Sequence, residues 1–209
     1  MADMQVKELN VSIQGTVAML LQNGRMANPL DPMSKELKKI TGKKKKTDDD
    51  HELMSRIEWY GGLYTTEDGL IKVTGNIVSV EQKFGRVCIP SDLLESALIQ
   101  GGKAFRKGEA FKAGVFVDHH PLLVYDGPKD VEEMLHGGGF RDTRKVGIMG
   151  KSVMRTRVIF KAGWKLNFTI SYIPSLLDER EVLEALEVVG NTKGIGTYRP
   201  KFGRFKVVA

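Results

Sequence analysis

The sequence predicts an α+β protein in which an antiparallel sheet is covered on one face by two helices. Three observations carry this. Leu166, Phe168, Ile170 and Tyr172 alternate strictly with Asn167, Thr169 and Ser171, the period of a half-buried strand. Two stretches repeat apolar residues at helical spacing: Leu93, Leu94, Ala97, Leu98, Gly101, Ala104 and Phe105, then Val182, Leu183, Leu186 and Val189. Short strand patterns fall before, between and after them. At 209 residues the chain can bury a core in one domain that carries insertions, and 41% hydrophobic with 28% charged residues excludes wholesale disorder.

The first element is a strand over about 5–14, where Val11 and Ile13 alternate with Asn10 and Ser12 and Gly15 punctuates the end. Asn28-Pro29-Leu30-Asp31-Pro32 is a turn, and Ser34 is expected to cap a short helix through Ile40. Thr47 with Asp50 three residues on starts another helix as a capping box, Leu53, Ile57 and Tyr60 give it a buried face, and Gly61-Gly62 stops it. Leu70–Val73 and Ile77–Val80 read as strands. Ile89-Pro90-Ser91 opens the first strong helix, and strands follow near 114–117 and 122–125. A brief helix near 130–135 precedes Gly137-Gly138-Gly139, and 146–172 is β-rich with a turn at Ala162-Gly163. Asp178 with Glu181 starts the second strong helix, Gly190 is its expected cap, and a last strand runs over about 201–208.

Without the irregular stretches the order is strand, helix, strand, strand, helix, strand. That is the split βαβ pair of a ferredoxin-like fold, expected here as one domain over 1–209 with insertions at about 16–88 and 126–161. RNA-recognition domains of this topology present aromatic rings on the open sheet face.

Charge distribution narrows the partners. The formal net charge is +6, and eight Lys/Arg lie between Arg141 and Lys165 against only Asp142. From Asn191 onward there are five (Lys193, Arg199, Lys201, Arg204, Lys206) and no acid. Clusters of this kind are the footprint of a polyanion partner. One cysteine, Cys88, excludes an intrachain disulfide and a four-cysteine zinc site, and fits a reducing cytoplasm. There is no signal-like N-terminus and no apolar run of about 18 residues, so neither export nor a membrane is expected.

The candidate site is the C-terminal segment from Gly194. Gly194 and Gly196 would let main-chain N–H groups meet phosphate, Arg199, Lys201 and Arg204 would hold it, and Tyr198 or Phe202 would stack a base. The basic β-rich stretch adds Lys151, Arg155 and Arg157; the two arginines share one strand face, and Met154 is either a wedge or core. Lys43–Lys46 reads as a solvated run or a flexible phosphate-binding arm. His119-His120 sit at a strand end as turn residues, without the second cluster a metal site needs. No cofactor, metal or catalytic residue is assigned.

Ile89-Pro90-Ser91-Asp92-Leu93-Leu94-Glu95-Ser96-Ala97-Leu98 resembles the helix-opening stretch of RAMP-superfamily proteins, the RNA-binding subunits of CRISPR effector complexes. Val11-Ser12-Ile13-Gln14-Gly15 is similar to their first strand, and Gly194-Ile195-Gly196 through Gly203-Arg204-Phe205 to their C-terminal glycine-rich loop. The whole pattern also resembles uncharacterised phage and prophage proteins. The resemblance implies a ferredoxin-like fold and non-catalytic binding of single-stranded RNA, in a prokaryotic or phage-infected cytoplasm. It also implies a basic projection along the RNA backbone. Two alternatives stay open: an endoribonuclease on the same fold, using a histidine or a loop aspartate such as Asp31 or Asp142; and a phage structural, assembly or CRISPR-subunit-mimicking protein that oligomerises or binds protein partners.

Overall fold

The computed structural model describes residues 5–148 and 150–208, apart from the side chains of Ile148 and Lys151. The described residues form an α+β structure with antiparallel sheets and six α-helices. They divide into two compact units: Met1–Leu20 with Cys88–Asp126 and Phe160–Ala209, and Leu21–Val87 with Gly127–Ile159. The short strand β2 (Met19–Leu21) follows β1 (Lys7–Gly15) and carries the chain from the first unit into the second. The second unit continues with α1 (Pro32–Thr41), α2 (Asp48–Gly61), β3 (Leu70–Thr74) and β4 (Ile77–Gln82), and later takes in Gly127–Ile159. The first unit resumes with α3 (Ser91–Gly102), α4 (Gly108–Gly114) and β5 (Val115–Phe116). Then come α5 (Val131–His136), β6 (Arg141–Ile148) and β7 (Lys151–Phe160), which up to Ile159 belong to the second unit. The first unit ends with β8 (Lys165–Tyr172), α6 (Glu179–Thr192) and β9 (Phe205–Val208).

In the first unit, the sheet runs β5-β8-β1-β9, and every pairing is antiparallel. The alternation that predicted β8 is the reason it sits centrally. Leu166, Phe168, Ile170 and Tyr172 are all buried on one face, beside Val11 and Ile13 of β1. Helices α3 and α6 pack against each other at a glycine: a Cβ on Gly101 would lie 2.1 Å from the carbonyl oxygen of Ala185. The opposite sheet face is polar. Its central positions hold cross-strand bonds from Ser12 Oγ to Asn167 Oδ1 and from Thr169 Oγ1 to Asn10 Oδ1, both 2.8 Å. No outward position of β1, β8 or β9 carries an aromatic ring; the ring on that face is Phe116 of β5, paired in register with Ser171.

Helix α6 starts on its predicted capping box, with Asp178 and Glu181 each accepting the other's backbone N–H. It does not end at Gly190. It continues to Thr192, because Gly190 serves packing instead: a Cβ there would lie 2.6 Å from the Phe205 carbonyl oxygen. The last strand likewise begins at Phe205, four residues later than about 201, because the preceding residues are used in a folded loop. Helix α3 stops at Gly102, so Ala104 and Phe105 leave the expected stripe, fall in a 3-10 turn and are exposed.

In the second unit, Asp31 and not Ser34 caps α1, accepting the Met33 N–H at 2.8 Å. Ser34 lies inside the helix and donates its hydroxyl to the Met26 carbonyl. The capping box of α2 forms as its spacing predicts, with Leu53, Ile57 and Tyr60 buried. Strands β6 and β7 make one antiparallel hairpin that starts at Arg141, earlier than Val146, because the charged residues of β6 find partners. Arg141 pairs with Glu52 and Ser55 on α2, and Thr156 Oγ1 lies 2.6 Å from Ser55 Oγ and 2.9 Å from Thr143 Oγ1. Trp59 is buried, its indole N–H donating to the Phe140 carbonyl at 2.8 Å.

Candidate nucleic-acid interface

The C-terminal loop joins α6 to β9 within the first unit, and its backbone is held from several sides. Ile195 N–H donates to the Gly203 carbonyl at 3.0 Å, Thr197 N–H to Leu20 at 2.8 Å, and Gly203 N–H to Ala18 at 2.8 Å. Gly194 N–H donates to Val189 at 2.7 Å. The glycines permit this closeness. Gly194, Gly196 and Gly203 all have left-handed φ, and Cβ atoms on them would lie 2.4, 2.5 and 1.7 Å from the backbone of Gly203, Leu20 and Ile195. The expectation that Gly194 offers its main-chain N–H to phosphate is therefore corrected. Gly194 has spent its N–H inside the fold, and both glycines are there so that backbone can meet backbone.

What the loop presents outward is side chain. Tyr198, Arg199, Lys201 and Arg204 are exposed, as is Lys193 at the end of α6. None of these cations has a carboxylate within ion-pair distance among the described residues. Tyr198 holds φ at +61°, a left-handed conformation that costs a non-glycine residue roughly 1–2 kcal/mol. The residue is 44% exposed, and its ring meets Phe202 edge-on with centroids 6.1 Å apart. Arg199 is tethered by Nη1 to the Gly194 carbonyl at 3.4 Å. Phe202 is half-buried, whereas Phe205 is core, packed edge-on against Trp164.

Beside these residues lies a cleft of about 640 Å³ lined by Lys193, Gly196, Tyr198 and Arg199 together with Gln100 and Thr192. Among the described residues no acid borders it. Gln100 and Thr192 belong to the last turns of α3 and α6, where the helix dipole presents partial negative charge. The helix ends thus favour the cations and would not themselves attract an anion. Any anion binding here comes from Lys193 and Arg199. Gln100 and Thr192 were not foreseen, since only the packing of α3 on α6 brings them to the loop.

The hairpin belongs to the second unit. Arg155 and Arg157 do share a face of β7, with Arg144 and Asp142 opposite them on β6. The arginines of this face are held by neighbouring side chains, however. Arg144 is bound through two nitrogens to Asp142, Arg155 pairs with Glu58, and Arg157 Nε donates to Gln22 at 2.9 Å. Glu58 is only 8% exposed, and its second oxygen accepts the Thr156 N–H at 2.8 Å. The Lys151 side chain lies outside the described residues. Met154 is 56% exposed and so is not core.

Three of the residues weighed for cleavage, His120, Asp31 and Asp142, have other roles. His120 Nδ1 accepts the Ser91 N–H at 3.0 Å, satisfying a backbone donor at the start of α3. His119 borders a shallow hollow of about 280 Å³ on the polar sheet face with Asn10, Ser12, Asn167 and Thr169. Asp31 caps α1 and pairs with Arg25 at 2.9 Å, and Asp142 holds Arg144. Among the described residues no cluster of three His, Cys, Asp or Glu is placed to hold a metal, and no helix is long and apolar enough to cross a membrane.

No protein-family description matches this chain. No curated protein matches it in sequence. The functional reading therefore rests on the site itself.

Proposed function

We propose that the protein binds single-stranded RNA, gripping the phosphate backbone with the side chains of the C-terminal loop. The observation that carries this reading is Tyr198, held exposed in a left-handed conformation beside Arg199 over an acid-free cleft. Backbone strain of this kind clusters at ligand clamps. A fixed ring with cations around it stacks a base while phosphates are neutralised. Lys193, Lys201 and Arg204 extend the positive charge along the chain, which suits a polymer better than a single anion.

The order β9-β1-β8-β5, with α3 between β1 and β5 and α6 between β8 and β9, supports reading the first unit as ferredoxin-like. The helix start after Pro90 and the glycine loop support the likeness to RAMP-superfamily RNA-binding subunits. Binding without cleavage is the reading we adopt, because His120 is occupied at a helix start and Asp31 and Asp142 in ion pairs.

The test is filter binding of single-stranded RNA over a range of salt. With Lys193, Arg199, Lys201 and Arg204 engaged, log K should fall against log salt with a slope of about −2.8, from about −0.7 per phosphate contact on single strands. Arg199→Ala with Arg204→Ala should reduce that slope to about −1.4. No binding at low salt, or an unchanged slope in the double variant, overturns the proposal.

A further inference from the structure

We propose that the second unit holds a nucleobase pocket beside a phosphate-binding lysine surface, forming a second contact for single-stranded RNA. The inference rests on the RNA-binding reading above. Ser34, Leu37, Lys38 and Thr41 follow the i, i+3, i+4, i+7 spacing and so occupy one face of α1. Met26 and Ala27 of the preceding 3-10 turn, Pro29 and Arg155 complete a cavity of about 200 Å³ with them. That volume takes one planar ring, and the thioether of Met26 with Leu37 and Pro29 supplies apolar walls for it.

The polar groups of the pocket are few and fixed. Ser34 Oγ donates to the Met26 carbonyl at 3.0 Å and Thr41 Oγ1 to the Lys38 carbonyl at 3.2 Å. Each hydroxyl keeps lone pairs able to accept from the amino group of a base. Arg155 is anchored through one nitrogen to Glu58, which is itself held by the Thr156 N–H. Its guanidinium plane is thereby oriented, and its remaining N–H groups and flat face suit a base carbonyl or a base stack.

From Lys35 to Lys46 the chain carries seven lysines against Glu36 alone, before the aspartates that open α2. Lys39 pairs with Glu36 and Lys43 with Asp50. Lys35, Lys38, Lys44, Lys45 and Lys46 have no carboxylate within ion-pair distance among the described residues. Several such cations beside one ring-sized hollow match a nucleotide chain, with a base inserted and neighbouring phosphates outside. A single acidic side chain of a protein would use only one of them.

The experiment compares fluorescence-anisotropy titrations of the full chain with a 12-nucleotide single-stranded RNA and an abasic ribose-phosphate 12-mer. Ala27→Phe fills the pocket from an exposed position, and Lys44→Ala provides a second variant outside it. In the background of Tyr198→Ala, which removes the other base contact, the RNA should bind about tenfold more tightly than the abasic strand, the size expected of one stacked base. Adding Ala27→Phe in that background should bring the ratio to about one. Lys44→Ala should weaken both strands alike. An unchanged ratio in Ala27→Phe overturns the pocket while leaving RNA binding intact, whereas no binding of either strand overturns both. Capture of an oligoglutamate peptide that Ala27→Phe abolishes, with no base-to-abasic difference, assigns the pocket to acidic protein segments and overturns the inference. Circular dichroism melting of each variant separates loss of fold from loss of site.

Discussion

Gly203→Ala tests whether the C-terminal loop is held as its geometry implies. The φ of Gly203 is +82°, and a Cβ would lie 1.7 Å from the Ile195 carbonyl oxygen. No rotamer relieves that overlap, because both partners are backbone. The left-handed conformation alone costs an alanine roughly 1–2 kcal/mol. Separating the two sides of the loop also loses the Ile195 N–H to Gly203 bond and the Gly203 N–H to Ala18 bond, at about 1 kcal/mol each. The sum is about 3–4 kcal/mol, or a fall in melting temperature of roughly 6–16 °C at about 2–4 °C per kcal/mol. Gly163→Ala is the internal control, since Gly163 has φ +97° but open space around its missing Cβ. It should show only the conformational cost, about 1–2 kcal/mol. Thermal melts followed by circular dichroism read both. Equal melting of the two variants would refute the claim that these glycines exist for backbone contact, and would return Gly203 to the simpler role of a turn.

Arg155→Ala leaves the buried Glu58 carboxylate without its cation and should destabilise the protein by about 2–3 kcal/mol, less than a fully buried pair because Arg155 is partly exposed; urea unfolding checks this. The Lys43 ammonium bonded to Asp50, and the Arg141 guanidinium bonded to Glu52, hold these carboxyls below their ordinary values of 3.8 and 4.5. Their contribution to stability is therefore present above about pH 4.5 and lost as pH falls through the lowered values. Urea midpoints at pH 7, 4 and 3 should show that decline, reduced in Asp50→Asn and Glu52→Gln. Burial, helped by Glu132 and Asp130, pushes the Tyr60 phenol up to about 12. The unfolded chain then loses this proton first, so stability should fall as pH rises from 10 toward 12, a slope that Tyr60→Phe removes.

Local signals were read most directly. Both capping boxes form because a Thr47–Asp50 or Asp178–Glu181 pair needs only the first turn of its own helix. The alternation of β8 survives intact because one face of a sheet must be buried. Where a residue had two local roles open to it, distant packing decided between them. Gly190 resembles a helix cap in sequence, yet Phe205 approaches it and the helix continues. Ser34 and Asp31 both suit an N-cap, and Asp31 has the position while Ser34 bonds back to Met26.

The sequence by itself determined which residues are periodic, which are cationic and where helices begin. These are properties of near neighbours and of side-chain chemistry. Only the tertiary structure decided which cations stay available. Arg155 and Glu58 are 97 residues apart in the chain but pair in space, while Arg199, Lys201 and Arg204 meet no carboxylate among the described residues. It also decided that the glycines of the C-terminal loop serve backbone contact and leave recognition to the side chains around them, because occupied N–H groups depend on partners as remote as Ala18 and Leu20.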